Sequence, residues 1–150
     1  MKTIFDAATR EELILRIGLV KEGSKPVWGK MNVYQMVRHN TFWNEWILGK
    51  GNHIYKQEFL GKIFGKFALK RMIKDEKPFD KNIPTSAPFK VKDINGNLAS
   101  EKDKWISLVN EYEHFNNPAF IHGFFGKMTT EQIGILVFKH TDHHLRQFGV

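Results

Sequence analysis

The sequence predicts an all-α fold: four helices in a bundle, with a long crossover insertion between the second and the third. Three observations predict it. Polar N-cap residues followed three positions later by Glu or Gln occur at Thr9–Glu12, Asn32–Gln35 and Thr129–Gln132, each pair able to cap a helix start reciprocally. Apolar residues behind them return every three or four positions, the period of a helix with one buried face. Between about residues 50 and 97 that period fades and prolines punctuate the chain, as in a connection.

The first helix is expected to begin near Thr9, to carry Leu13, Ile14, Ile17 and Val20 on one stripe, and to stop around Gly23. The second is expected to start at Asn32 and to run through Val33, Met36, Val37, Trp43, Trp46 and Ile47 until Gly49. In the insertion, a short helix is expected from about Gly61 to Lys74, followed by an irregular stretch through Pro78, Pro84 and Pro88. So long a connection lets the helices on either side of it run in the same direction, which a short turn forbids. The third bundle helix should start near Ser100, with Trp105, Leu108, Val109, Tyr112 and Phe115 on its stripe, and end at Asn116-Asn117-Pro118. The last helix should run from Thr129 to about Gln147. The lead-ins Trp28-Gly29-Lys30-Met31-Asn32 and Phe125-Gly126-Lys127-Met128-Thr129 resemble each other, which leaves pseudo-symmetry between two helix pairs open.

The 150 residues, 41% of them hydrophobic, suit one domain spanning residues 1–150 with a core that needs no cross-links. Cysteine is absent, so disulfides and thiolate ligands are excluded, and any thiol in a reaction would arrive on a second substrate. No run of 18 apolar residues occurs and Met1 to Asp6 lacks a signal-peptide profile, so the expectation is a cytoplasmic protein without a membrane partner. A net charge of +7 favours anionic ligands or simply keeps the surface soluble. Lys62, Lys66, Lys70 and Lys74 recur every fourth residue as a basic stripe, read here as a solvated face unless it grips nucleic acid or anionic lipid.

The chemistry points to the segment His140-Thr141-Asp142-His143-His144-Leu145-Arg146-Gln147. At about 100° per residue, His140 and His144 lie about 40° apart on successive turns and fall inside the apolar arc of Ile133, Leu136 and Val137. His143 falls on its flank. Buried imidazoles without partners cost about 1 to 3 kcal/mol each, and a shared divalent ion removes that penalty. Hydrogen bonds to neighbouring side chains are the plainer alternative. His39 supplies a third ring, because it lies inside the arc of Met36, Trp43 and Trp46 on the second helix. His53, His114 and His122 fall in loops or at a helix end, where exposed or hydrogen-bonding roles are expected.

Three neutral imidazoles without an anionic ligand leave an open coordination position, the arrangement of catalytic sites. Such a site should empty below roughly pH 6. The spacing matches that of the metallopeptidase signature His-Glu-x-x-His, but Thr141 stands where the general-base glutamate belongs, which argues against a peptidase. Asp142 is expected on the exposed back of the helix. Gln147 returns to the ligand arc, and it and His143 are candidates to support a ligand or touch substrate.

A histidine in the second helix, a last helix with His-x-x-His-His followed by Arg and Gln, and a Gly-Lys-Met-Thr lead-in together resemble the DinB-like superfamily of metal-dependent proteins. The resemblance spans most of the chain and is weakest over residues 50 to 97. It implies an up-down-down-up bundle holding zinc or nickel through positions that fall on His39, His140 and His144. Some relatives transfer low-molecular-weight thiols such as bacillithiol, and others are mycothiol-dependent isomerases. The first functional expectation is therefore a metal-dependent thiol transferase acting on a small molecule, with Arg38, Arg146 and Tyr34 as candidate substrate contacts. A hydrolase using metal-bound hydroxide and a non-catalytic binding module are the alternatives. No nucleic-acid motif is present. Tyr34, Phe42, Ile135 and Phe138 lie behind the core-facing arcs and need cover, either from the insertion or from a second copy in a homodimer.

Overall fold

Side-chain caps set where the bundle helices begin in the computed structural model, which describes residues 1–150. Helix α1 (Ala7–Leu19) is capped by Asp6, whose carboxylate accepts from both the backbone N–H and the hydroxyl of Thr9. The cap therefore lies three residues earlier than the Thr9–Glu12 pattern suggests, because a carboxylate at residue 6 takes the orphan amide first. The helix also ends earlier, at Leu19, and Gly23 with φ 85° belongs to the following turn. Helix α2 (Val33–Leu48) opens with the expected Asn32–Gln35 capping box and closes on Gly49 in the left-handed conformation. The insertion carries α3 (Phe59–Met72), and Asn97 caps α4 (Leu98–Glu111), which continues as a 3-10 turn through His114. Helix α5 (Thr130–Gln147) opens with the Thr129–Gln132 capping box.

Ion pairs and hydrogen bonds fix the directions. Arg38 meets Glu101, Glu45 meets Lys104, and Lys50 meets Glu111, so α2 and α4 run parallel. Ile4 pairs with Gly134 and Arg16 with Asp142, so α1 and α5 are parallel too. Lys102 instead donates to the carbonyls of Gly18 and Val20 at the far end of α1, while Arg10 approaches Glu113, which makes α1 and α4 antiparallel. The bundle is up-down-down-up, and its parallel central pair requires the long crossover. The core holds Leu13 and Ile17 of α1, Met36 and Val37 of α2, Trp105 and Val109 of α4, and Val137 and Leu145 of α5.

The crossover helix α3 docks through its smallest residues. A Cβ added to Gly65 would lie 2.1 Å from the Phe124 carbonyl oxygen, and one on Gly61 2.3 Å from it, so the two glycines let the backbones touch. At the other end Lys139 of α5 donates to the carbonyls of Met72 and Asp75, capping α3 with a charge where the helix dipole favours one. Most residues flagged as needing cover find it within the chain. Ile135 is buried, Phe138 lies under Lys2, Arg38 stacks on Phe42, and Gly96 sits against the Tyr34 ring.

Candidate metal centre

Helices α2 and α5 run antiparallel past each other, and they bring His39, His140 and His144 to one point. Ring centroids are 5.2 Å apart for His39 and His140, 4.8 Å for His39 and His144, and 4.7 Å for His140 and His144. The Nε2 atoms of His39 and His140 are 3.2 Å apart, close to the roughly 3.4 Å expected of two nitrogens at about 2.1 Å from one ion at a tetrahedral angle. All three ligand nitrogens lie within 4.8 Å of one another. At that angle each pair should span about 3.4 Å, so ring movement of up to about 1.4 Å completes the set.

Hydrogen bonds on the outer side of the rings orient two of them. His39 Nδ1 donates to the carbonyl of Phe89 at 2.9 Å, and His144 Nδ1 donates to Oε1 of Gln147 at 2.9 Å. With Nδ1 protonated, each neutral ring has its lone pair on Nε2, facing inward. Gln147 is itself held, because its amide nitrogen donates to the carbonyl of Trp28 at 2.9 Å. His140 is positioned by contact instead, stacked on the Trp43 indole at 3.9 Å. Its Nδ1 is buried without a hydrogen-bond partner.

Burial lowers the pKa of His39, and it pushes His140 and His144 well below the ordinary imidazole value, with the neighbouring rings adding to the effect on the latter two. The rings are thus neutral donors at neutral pH, the form that a metal ion binds. The donor set and its orientation fit a divalent cation. The site also opens. His39, His140 and His144 form part of the wall of a cavity of about 1470 Å³, whose other sides include Trp43, Trp46, Phe89 and Phe125.

A chain with this site invites comparison with known families, and the family model of the DinB superfamily matches residues 23–148. The chain belongs to the DinB superfamily. No curated protein and no solved structure matches it. The match includes α2 and α5, hence every ring of this DinB centre, and the insertion that supplies the Phe89 carbonyl.

The remaining candidates divide. His143 is buried beside the centre, its ring 5.1 Å from that of His144 and edge-on to Trp28, and it lines the cavity. Arg38 and Arg146 are engaged by Glu101 and Asp142. Asp142 is not the exposed helix residue its position suggested: it is buried, and pairs with Arg16 at 2.8 Å and Arg146 at 2.7 Å. Arg16 reaches it from α1, a tertiary contact that helical angles on α5 alone do not reveal. Of the exposed or hydrogen-bonding roles expected for His122 the structure shows the second, with the half-buried ring lining the cavity and stacked on Phe125. Its Nδ1 accepts from the N–H groups of Phe124 and Phe125, which places its proton on Nε2, and burial lowers its pKa to about 4. His53 and His114 do not join the centre.

Proposed function

We propose that His39, His140 and His144 hold one divalent ion, zinc or nickel, and that the protein uses it to transfer a low-molecular-weight thiol to or from a small molecule in the adjoining cavity. One observation carries this reading: the three imidazoles meet on the wall of a large cavity rather than in closed interior. A structural site needs no such access, whereas a catalytic one keeps a coordination position open. An ion bound there supplies acidification of a thiol or water and polarisation of a carbonyl.

The chain's own residues do the rest. Phe89 and Gln147 hold the rings of His39 and His144 so that only their inner nitrogens are offered. Apolar walls from Trp43, Trp46 and Phe125 exclude water from the reacting atoms, which strengthens electrostatic interactions inside. Lys30, Lys56 and Lys90 line the same cavity and attract the anionic part of a cosubstrate. The chain has no cysteine, so the reacting sulfur belongs to the substrate. Thiol pools stay reduced in the cytoplasm, where this reading places the protein.

A hydrolase could use the same ligands but needs a proton acceptor. The outer partners of His39 and His144 are a carbonyl and an amide, neither of which takes a proton, and the Asp142 carboxylate is occupied by two arginines. His143 and His122 on the cavity wall would have to take that proton instead, and hydrolysis stands as the second reading. Thiol transfer by metal-loaded protein should be abolished in His144→Ala, and equal rates for the two proteins would discard the proposal. An ester, amide and lactone screen with and without chelator tests the second reading.

A further inference from the structure

Helix α3 turns its largest residues outward. Gly61, Gly65 and Leu69 are buried against the body of the protein, whereas Phe59, Leu60, Ile63, Phe64 and Phe67 are each 55 to 75% exposed. At about 100° per residue the five apolar side chains cover one arc of about 140° opposite the docking face. An amphipathic helix in a globular protein normally does the reverse, with its apolar stripe inward. Ile54, just upstream, is 92% exposed as well, so half of the large exposed hydrophobic side chains of the whole protein lie between residues 54 and 67. Scattered apolar residues need no explanation, but a contiguous patch implies an occupant.

The charges on the helix select that occupant. Lys62, Lys66 and Lys70 form a continuous edge along the apolar arc, and Arg71 and Lys74 add to it at the C-terminal end. Lys62, Lys66, Lys70 and Arg71 enter no ion pair, and the only partner of Lys74 is the adjacent Asp75, at 4.0 Å. No acidic residue occurs from Phe59 to Lys74. A second copy seated face to face on α3 would bring cation to cation without a carboxylate between them. A bilayer rich in anionic lipid offers both partners at once, acyl chains for the phenylalanines and phosphates for the lysines.

We propose that α3 is a peripheral membrane-docking helix that lays its Phe59–Phe67 face into the interface of an anionic bilayer. The association is peripheral because no helix of the protein is long and apolar enough to cross a membrane. Its backbone is already folded and fixed by Gly61, Gly65 and the Lys139 cap, so docking carries no cost of ordering a helix. Ala68 and Met72 of the same helix line the cavity that holds the histidines, so docking brings the cavity rim toward the lipid surface.

The test is cosedimentation of the full-length protein with phosphatidylglycerol vesicles, and with phosphatidylcholine vesicles for comparison, at low and high salt. The expected result is binding to the anionic vesicles that weakens steeply with salt, with little binding to neutral ones. Lys62→Gln, Lys66→Gln and Lys70→Gln together should weaken it on the order of 100-fold, from about 1 kcal/mol per surface cation. Phe67→Asp should abolish it, and because Phe67 is exposed the thermal unfolding midpoint should not change. Failure of the wild type to bind anionic vesicles overturns the proposal. So does a wild-type dimer, by size and light scattering, that Phe67→Asp converts to monomer without any vesicle binding, because that result gives the face to a second copy.

Discussion

Gln147 Oε1 accepts a hydrogen bond from Nδ1 of His144 at 2.9 Å while its own amide nitrogen donates to the carbonyl of Trp28, so a loop before α2 orients a ring on α5. Outer hydrogen bonds of this kind fix which nitrogen faces an ion, and removing one commonly lowers metal affinity 10- to 100-fold. Gln147→Ala should therefore weaken zinc or nickel binding by about that factor in a chelator competition titration. Unchanged affinity would show that the His144 ring is held by packing alone.

Replacement of any one of His39, His140 and His144 by alanine should reduce the metal content of purified protein from one ion per chain toward zero, read by elemental analysis. His53→Ala should leave it unchanged, because that ring lies outside the cluster. Full occupancy in His39→Ala would remove α2 from the site.

Acid should act on the metal-free protein through histidines whose folded pKa values are depressed. For His122, burial moves the value from 6.5 to about 4. A depressed folded value means the unfolded chain binds the proton first, so the stabilisation is present above about pH 6.5 and is lost as pH falls toward 4. The desolvated rings of His39, His140 and His144 act in the same direction. Denaturant midpoints measured from pH 7 to 4 should decline, and His122→Phe should flatten the decline by up to about one proton's worth, roughly 1.4 kcal/mol per pH unit. At pH 7 the same variant should be less stable, since two amides lose their acceptor. Because burial already resists protonation of the ligand rings, metal should be retained to a more acidic pH than the value near 6 expected of free imidazole.

Asp142→Ala should cost about 1 to 3 kcal/mol of stability by removing the buried carboxylate that Arg16 and Arg146 share, leaving Arg16 with Glu12 at 3.8 Å and the Val150 carbonyl, yet leave metal stoichiometry intact. Loss of the ion in this variant would give Asp142 a role at the centre that its geometry does not predict.

Gly65→Ala should destabilise the protein by about 1 to 3 kcal/mol, because the new methyl meets the Phe124 carbonyl oxygen at 2.1 Å and neither backbone can yield cheaply. Chemical denaturation reads the loss. A variant as stable as the wild type would mean that α3 is held loosely.

Much of this was legible in the sequence because helical geometry is rigid. The spacing of His140 and His144 places both rings on one face whatever the surroundings, and the Asn32–Gln35 and Thr129–Gln132 caps needed only local hydrogen bonds. What escaped depends on other parts of the chain. The acceptor for His39 is the backbone carbonyl of Phe89, which no residue type announces. His122 sits in a loop without periodicity, and its burial follows from neighbouring aromatic rings. The exposure of the lysines at every fourth position of α3 was read correctly, whereas the exposed apolar arc beside them, written in Gly61 and Gly65 four residues apart, was not.

His39 precedes His140 by 101 positions along the chain, and the two nitrogens meet only when α5 has packed against α2. A growing polypeptide therefore carries a single lone imidazole of this set until its last helix is made. Coordination by all three rings must await closure of the bundle, which couples loading to correct folding.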